Sequence, residues 1–563
     1  MLRKLILKIE QAKAILYSKY MSVLQLQEHL VQLVKEESYL SAEILAQGLL
    51  IEAPATTSLA SSQNAPLIGA GSPVQTLILL GEALFKAEEY RRSVAIYKQA
   101  QQLLSRNHRR GGTSEREVLP VLNSLCVAVG KCWDKLGDTR AAIEALQRID
   151  ESERGISVQL ALGRLHRLLG QKKLAKGCYA NVWERNPFAL EAAQALINMG
   201  ERAENLLIQC KDAHASCAPW IPTMIQAYSY ECHFAPREAL KCLESLGAAF
   251  DASLEVLLQK GRLSLHLNEI SRAIELYERA HRLDSANVKG MDLYALCLYE
   301  RRDSMKLNSL AQQLMVNGGM KRPEPWIAAA LHCLVVNKDS KAEALADQAC
   351  RHGSQHSMSF YVRGMILLKR DDEGSKDAVQ WFRRAKTLSP SIRTFSGMVE
   401  SFVKARQLKL ALDTAKKIRE LMPEDARPYV LLGTVQAAEE TRAQMDKAKA
   451  NFVRALDVDP QCMIAVYRLV DLYFASESYR EAINVLENAL QQEDSDQLYY
   501  RLGDAYYELN EHDDAIEQYQ HALSLNANCQ EARAGLEKIQ NPDQDESMGG
   551  DEEEEDADES GEF

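Results

Sequence analysis

Apolar residues return every three to four positions along most of this chain, as in Leu80, Leu84, Val94, Tyr97 and Ala100, with charged and polar residues between them. Such spacing puts one greasy stripe on an α-helix, whereas a half-buried strand would alternate in twos. No run reads as β-sheet. The stripes are short and come in pairs, so the predicted unit is a helical hairpin.

A longer period overlies the stripes. Gly261 is followed by Ala273, Tyr277 and Ala280, and Gly503 by Ala515, Tyr519 and Ala522, with offsets of 12, 16 and 19 in both copies. Equivalent first-helix positions fall at Gly81, Gly130, Gly163, Ala227, Gly261, Ala295, Ala330, Gly364, Val399, Gly433, Val470 and Gly503. From Ala227 onward the gaps are 34, 34, 35, 34, 35, 34, 37 and 33 residues. Second-helix positions follow 12 residues later at Ser93, Ala142, Ala175, Ala239, Ala342, Ala411 and Ala482, stretched to 14 at Ala378 and 15 at Ala448. These two stretches are expected to lengthen a turn. Pro187, Pro390, Pro423 and Pro460 close their repeats, because proline lacks the amide hydrogen a continuing helix needs.

A period of this length with small residues at helix crossings is the tetratricopeptide signature. The fold class is therefore all-α, a tetratricopeptide-repeat superhelical solenoid in which neighbours cover one another's apolar faces. Two intervals break the register. The interval Gly81 to Gly130 contains Ser105 to Thr113, read as a basic flexible loop, and Gly163 to Ala227 leaves room for a degenerate unit near 188–218.

Boundaries follow from composition. Residues 1–28 form an N-terminal extension, helical or disordered, and residues 29–52 a helical cap without repeat consensus. Residues 53–73 are rich in Ala, Ser, Thr and Pro and read as a flexible linker, and residues 74–540 are the array. Leu30, Leu33, Ile44, Leu45 and Leu49 of the cap are candidates for a dimer interface, since an array otherwise ends in an open apolar face. Met21 is an alternative initiator to Met1. Residues 541–563 hold twelve Asp or Glu and no Lys or Arg. The whole chain carries a formal charge of -12, so residues 1–540 sum to zero. Acid at this density repels itself and buries nothing, so the tail is expected to be disordered.

The neutral body lacks a basic stripe with interleaved aromatics, which argues against nucleic acid. No apolar stretch approaches the length of a membrane span, and the charged amino terminus does not read as a secretory signal. Twelve scattered cysteines without a C-x-x-C pair read as reduced, buried thiols, and nucleus and cytoplasm are the expected compartments. There is no H-E-x-x-H, no G-x-x-x-x-G-K-[ST], no G-x-S-x-G and no zinc spacing; neither enzyme activity nor cofactor nor metal is expected. His166 stands where an aromatic would pack and reads as a core histidine.

What remains is protein binding. The first-helix positions that would form a two-carboxylate clamp are Ile78, Glu82, Val127, Lys131, Leu160, Arg164, Tyr500 and Asp504, and they cannot build one. Late in the array, Tyr467, Asp471, Phe474, Tyr500, Asp504 and Tyr507 line the inner face as a candidate groove for an extended segment with basic and apolar residues.

The segment Ala83 to Val94, the segment Val288 to Tyr294, and Pro325-Trp326 followed by Leu331-His332 resemble the subunit 7 family of the anaphase-promoting complex. The resemblance extends over residues 29–540 and includes the cap helix, the linker, the insertion after the first repeat and the acidic end. It implies a non-catalytic scaffold subunit of a large ubiquitin ligase controlling mitotic progression. It also implies a homodimer made by the early helices, contacts with sister tetratricopeptide subunits, and a role in receiving activator proteins. A tetratricopeptide adaptor of ciliary transport or co-chaperone type would use the same fold.

Overall fold

The computed structural model describes residues 23–57, 72–109, 115–214, 220–247, 250–318, 320–353, 355–369, 372–439, 441–492 and 494–540. All regular structure among them is helical. The described residues fall into two compact units divided between Tyr228 and Ser229. The predicted acidic tail, residues 1–22 and most of the predicted linker lie outside the described residues.

Hairpins follow one another in both units. In the first, Pro73–Lys86 pairs with Tyr90–Arg109, Glu115–Leu136 with Thr139–Gln147, and Ile156–Leu168 with Lys172–Arg185. In the second, the hairpins run from Leu254–His266 with Ile270–Leu283 through Asp496–Glu508 with His512–Leu525, and Gln530–Gln540 follows as a last helix. First helices also touch the next first helix, as Pro323–Val335 does Ser357–Lys369 and Ser357–Lys369 does Ile392–Lys404. Local chemistry sets the ends. Ser72 accepts from the Gln75 amide at 3.1 Å ahead of Pro73, and Ser391 and Thr394 form a capping box. The second helices end at Arg185, Leu388, Leu421 and Val458, each two residues before its proline.

The offsets read from the sequence are packing contacts. A Cβ built on Gly503 would lie 2.7 Å from the Tyr519 ring, and one on Gly261 would lie 3.0 Å from Tyr277. Phe382 wedges between two hairpins, where a Cβ on Gly364 or Gly397 would come within 2.9 or 2.5 Å of its ring. Removing such a ring from water is worth about 1.5–3 kcal/mol, and the glycines are what let the helices close on it. Ala142, Ala175, Ala239, Ala273, Ala342, Ala378, Ala411, Ala448, Ala482 and Ala515 are all fully buried.

One regularity has no signature in residue type. All nine non-glycine residues with positive φ among the described residues are Glu37, Glu88, Phe234, Asn268, Arg302, Asn337, Arg406, Glu477 and Asn510. Eight of them lie seven residues after a first-helix position of the repeat register, and Gly137 and Gly170 take the same place. There the chain closes the first helix with a Schellman pair, as when Asn510 N–H donates to Tyr507 O at 2.9 Å and Glu511 N–H to Tyr506 O at 3.0 Å. The left-handed residue is imposed by these bonds, so Glu, Phe and Arg accept a conformation usually left to Gly or Asn.

The same rule exposes a hairpin that consensus misses. Residues 23–35 form a helix, Glu37 turns with φ 60°, and Tyr39–Thr57 returns. Leu30 takes the first-helix position, with Ala42, Ala46 and Leu49 following at offsets of 12, 16 and 19, and all four are buried. The segment expected to be a cap without repeat character is thus a repeat-like hairpin. Its helices cross both predicted boundaries, at 28–29 and at 52–53. Gln27 fastens it to the array by donating to Ser72 O at 3.1 Å and Thr76 Oγ1 at 2.7 Å.

Two further expectations need correction. The stretched repeats lengthen the second helix, not the turn: Asp372–Leu388 and Arg442–Val458 have 17 residues where Ile270–Leu283 has 14. Nearly one extra turn keeps the apolar stripe in phase. Residues 105–109 of the predicted basic loop complete the helix Tyr90–Arg109, and 110–114 lie outside the described residues. The degenerate unit expected near 188–218 is present, as a hairpin of Leu190–Asn198 and Ala203–His214 turned by Gly200 at φ 86°.

Candidate protein-interaction surfaces

The six groove candidates sit on two successive first helices, Met463–Ala475 and Asp496–Glu508. Tyr467 and Asp471 are brought together by a residue the sequence reading passed over. Arg501 donates to Asp471 Oδ1 at 2.6 Å, and its guanidinium stands 5.0 Å from the Tyr467 ring centroid. Arg501 lies 34 residues after Tyr467, one repeat period, which is the signal that could have found it. Asp504 accepts a hydrogen bond of 2.6 Å from the Tyr519 hydroxyl. Burial pushes the Asp504 carboxyl above its ordinary value, against the Tyr519 bond and the charges of Lys538 and Arg501. The two acids of this lining are therefore engaged within the fold. Phe474 turns edge-on to Tyr479 at 5.4 Å, Tyr507 lies 5.6 Å from His512, and Tyr500 is half-buried beside the Tyr519 cluster.

Further back in the second unit, the first-helix face is crossed by two arginines. Arg427 donates to His266 O at 2.6 Å and pairs with Asp425, while Arg393 pairs with Glu300 and reaches Leu265 O at 3.5 Å. Both cations meet carbonyls at the carboxyl end of Leu254–His266, where the helix dipole favours positive charge. Burial, together with the charges of Arg262, Arg427 and Arg393, pushes the His266 imidazole down to about 3. A cavity of about 420 Å³ lies beside these arginines, lined by Tyr361, Met365, Phe382 and Glu400 among others.

The five residues expected at a dimer interface separate into three groups. Leu30 and Leu49 are buried in the chain's own core with Leu80 and Leu84, and Leu33 and Leu45 are half-buried against it. Ile44 is 63% exposed, and Leu40, one turn before it, 73%. His166 is buried and its Nδ1 lies 2.7 Å from Gln171 Oε1.

Among the described residues no group of His, Cys, Asp and Glu could hold a metal ion, and no helix is long and apolar enough to cross a membrane. Burial raises the Cys297 thiol to about 12 and Cys350 to about 11, which keeps both protonated near neutrality.

Serial hairpins with close-packed small residues at their crossings make this a tetratricopeptide-repeat fold, and a tetratricopeptide-repeat family model matches residues 467–531. The relatives are more particular. Over nearly its whole length the chain is similar to anaphase-promoting complex subunit 7: it is 25% identical to that of Arabidopsis thaliana over 91% of this chain and 93% of the relative. It is 24% identical to that of Homo sapiens over 85% of this chain and 87% of the relative. Among solved structures, a chain of the crystal structure of the APC/C hetero-tetramer Cut9-Hcn1 shares the fold with a TM-score of 0.56, at 16% identity, covering 91% of this chain and 96% of that one.

Proposed function

We propose that this chain is a non-catalytic scaffold subunit of the anaphase-promoting complex, the multi-subunit ubiquitin ligase of mitotic progression. The observation that carries the reading is coverage: relatives of that one name match across nine-tenths of the chain and about nine-tenths of their own length. Its work would be mechanical. Stacked hairpins fix distances, so an activator, a substrate and a catalytic module held on one assembly meet at raised effective concentration. Sister tetratricopeptide subunits are the expected neighbours, activator proteins are expected to depend on their spacing, and the nucleus and cytoplasm are the expected compartments.

Purification of the tagged chain from its own cells, followed by mass spectrometry, tests this. Cullin-like and RING-like ligase subunits are expected to copurify; recovery of motor or chaperone components alone would reject it. We further propose that the chain forms a homodimer through its first hairpin, with Leu40 and Ile44 as the contact, since Leu30 and Leu49 are used internally. Leu40→Asp with Ile44→Asp is expected to halve the mass seen by light scattering. An unchanged mass would place the contact elsewhere.

A further inference from the structure

The second helices of three consecutive hairpins carry a ladder of cations that the body's zero net charge conceals. Counting from the buried alanines Ala378, Ala411 and Ala448, the fifth and sixth residues are Arg383 and Arg384, Lys416 and Lys417, and Val453 and Arg454. Because the repeat superposes these positions, five cations form one row of three rungs. Elsewhere in the unit the same two positions hold Glu278 and Arg279, Asp347 and Gln348, or Glu487 and Asn488. Residues 376–458 hold sixteen Lys or Arg against ten Asp or Glu, so the excess is local.

These cations are exposed, and among the described residues none makes an ion pair. Three of them rest on aromatic rings instead: Arg384 lies 5.0 Å from Trp381, Arg383 6.0 Å from Phe402 and Arg454 5.9 Å from Tyr429. A guanidinium held over a ring keeps its N–H donors free at the edge, so the side chain is oriented while its charge remains unspent. Neighbouring rungs feel one another, for Lys386, half-buried over Phe395 at 4.7 Å, is lowered by burial and then by the charges of Lys417 and Arg383. The ion-paired surface earlier in the unit differs, with Arg272 joined to Glu244 and Lys306 to Glu278.

We propose that this ladder is the docking surface for the chain's own acidic tail, residues 541–563. The tail supplies the complement, twelve carboxylates without a Lys or Arg and an unbroken run from Asp551 to Asp556. Reach permits it. At roughly 10 Å per packed helix layer the nearest rung is on the order of 30 Å from Gln540, and an extended chain of this length spans about 80 Å. A strand of alternating or consecutive acids laid across the rungs would neutralise several cations at once, with each contact strengthened by its neighbours, and salt would weaken the whole.

A water-soluble carbodiimide, which joins carboxylates to lysine amines without a spacer, tests this on the full chain. Tail carboxylates are expected to couple mainly to Lys386, Lys416 and Lys417. In a mixture of unlabelled and nitrogen-15-labelled chains, each coupled pair is expected to come from one chain. Arg383→Glu with Arg384→Glu leaves all three lysines in place and is expected to abolish the coupling, and Arg384→Gln with Arg454→Gln to reduce it. Arg237→Glu with Lys241→Glu, the same charge change at exposed cations elsewhere, is expected to leave it intact. Coupling spread evenly over exposed lysines, coupling that survives Arg383→Glu with Arg384→Glu, or coupling only between chains would overturn the proposal.

Discussion

The hairpin at residues 23–57 and the hairpin at 496–525 share one backbone plan and almost no residues. Both turn in the left-handed region seven residues after the first-helix position, at Glu37 with φ 60° and at Asn510 with φ 61°. Where the second has Gly503 against Tyr519, small then large, the first has Leu30 and Ala46, large then small. The volume between the helices is filled either way. A search for the small-first pattern finds only one of them, because packing constrains a sum of volumes and leaves the order free.

The comparison can be broken most forcefully at Leu30, which is fully buried. If the first hairpin is part of the folded core, Leu30→Ala should cost about 2–5 kcal/mol through lost burial and the cavity left behind. Chemical denaturation would read this as an earlier transition, and a change under about 0.5 kcal/mol, ordinary for surface sites, would detach the hairpin from the core. Gly503→Leu attacks the opposite packing order. Its side chain would collide with Tyr519, costing about 1–3 kcal/mol, with hydrogen exchange quickening in that hairpin and its neighbours only. Exchange that quickened evenly through the unit would contradict nearest-neighbour stacking.

Smaller effects sharpen the contrast at the turns. Glu37→Gly should stabilise by about 1 kcal/mol, since a Cβ in the left-handed region is strained, while Asn510→Gly should change little because asparagine already tolerates it. Equal responses would show that the turn bonds absorb the strain in both. The smallest effect is pH-dependent. The Asp504 carboxyl titrates above its ordinary value, so the folded state holds that proton longer than the unfolded chain does. Its contribution is complete below the ordinary carboxylate range and fades as pH rises through the raised value. Asp504→Asn should flatten that part of the stability profile in thermal melts, and an identical slope would remove Asp504 as its source.

Several surface features were readable only in part. The aromatic residues at Tyr467, Tyr500 and Tyr507 follow from periodicity, but the partner that neutralises Asp471 comes from the next hairpin, one period away, and a face-by-face reading of single helices does not pair them. The dimer candidates show the same limit. Leu30 and Ile44 look alike as apolar residues, yet one is fully buried and the other is 63% exposed. The cation ladder is hidden in a neutral total and emerges only when equivalent positions are stacked.

By itself the sequence determined the helices, their pairing and the period from Ala227 to Gly503, because stripe spacing and proline stops act within a few residues of one another. The tertiary structure alone decided which residues take the left-handed turn, which leucines face inward and which carboxylates are already bonded. Those outcomes depend on hydrogen bonds and side-chain volumes supplied by neighbouring helices, and residue type at a single position does not carry that information.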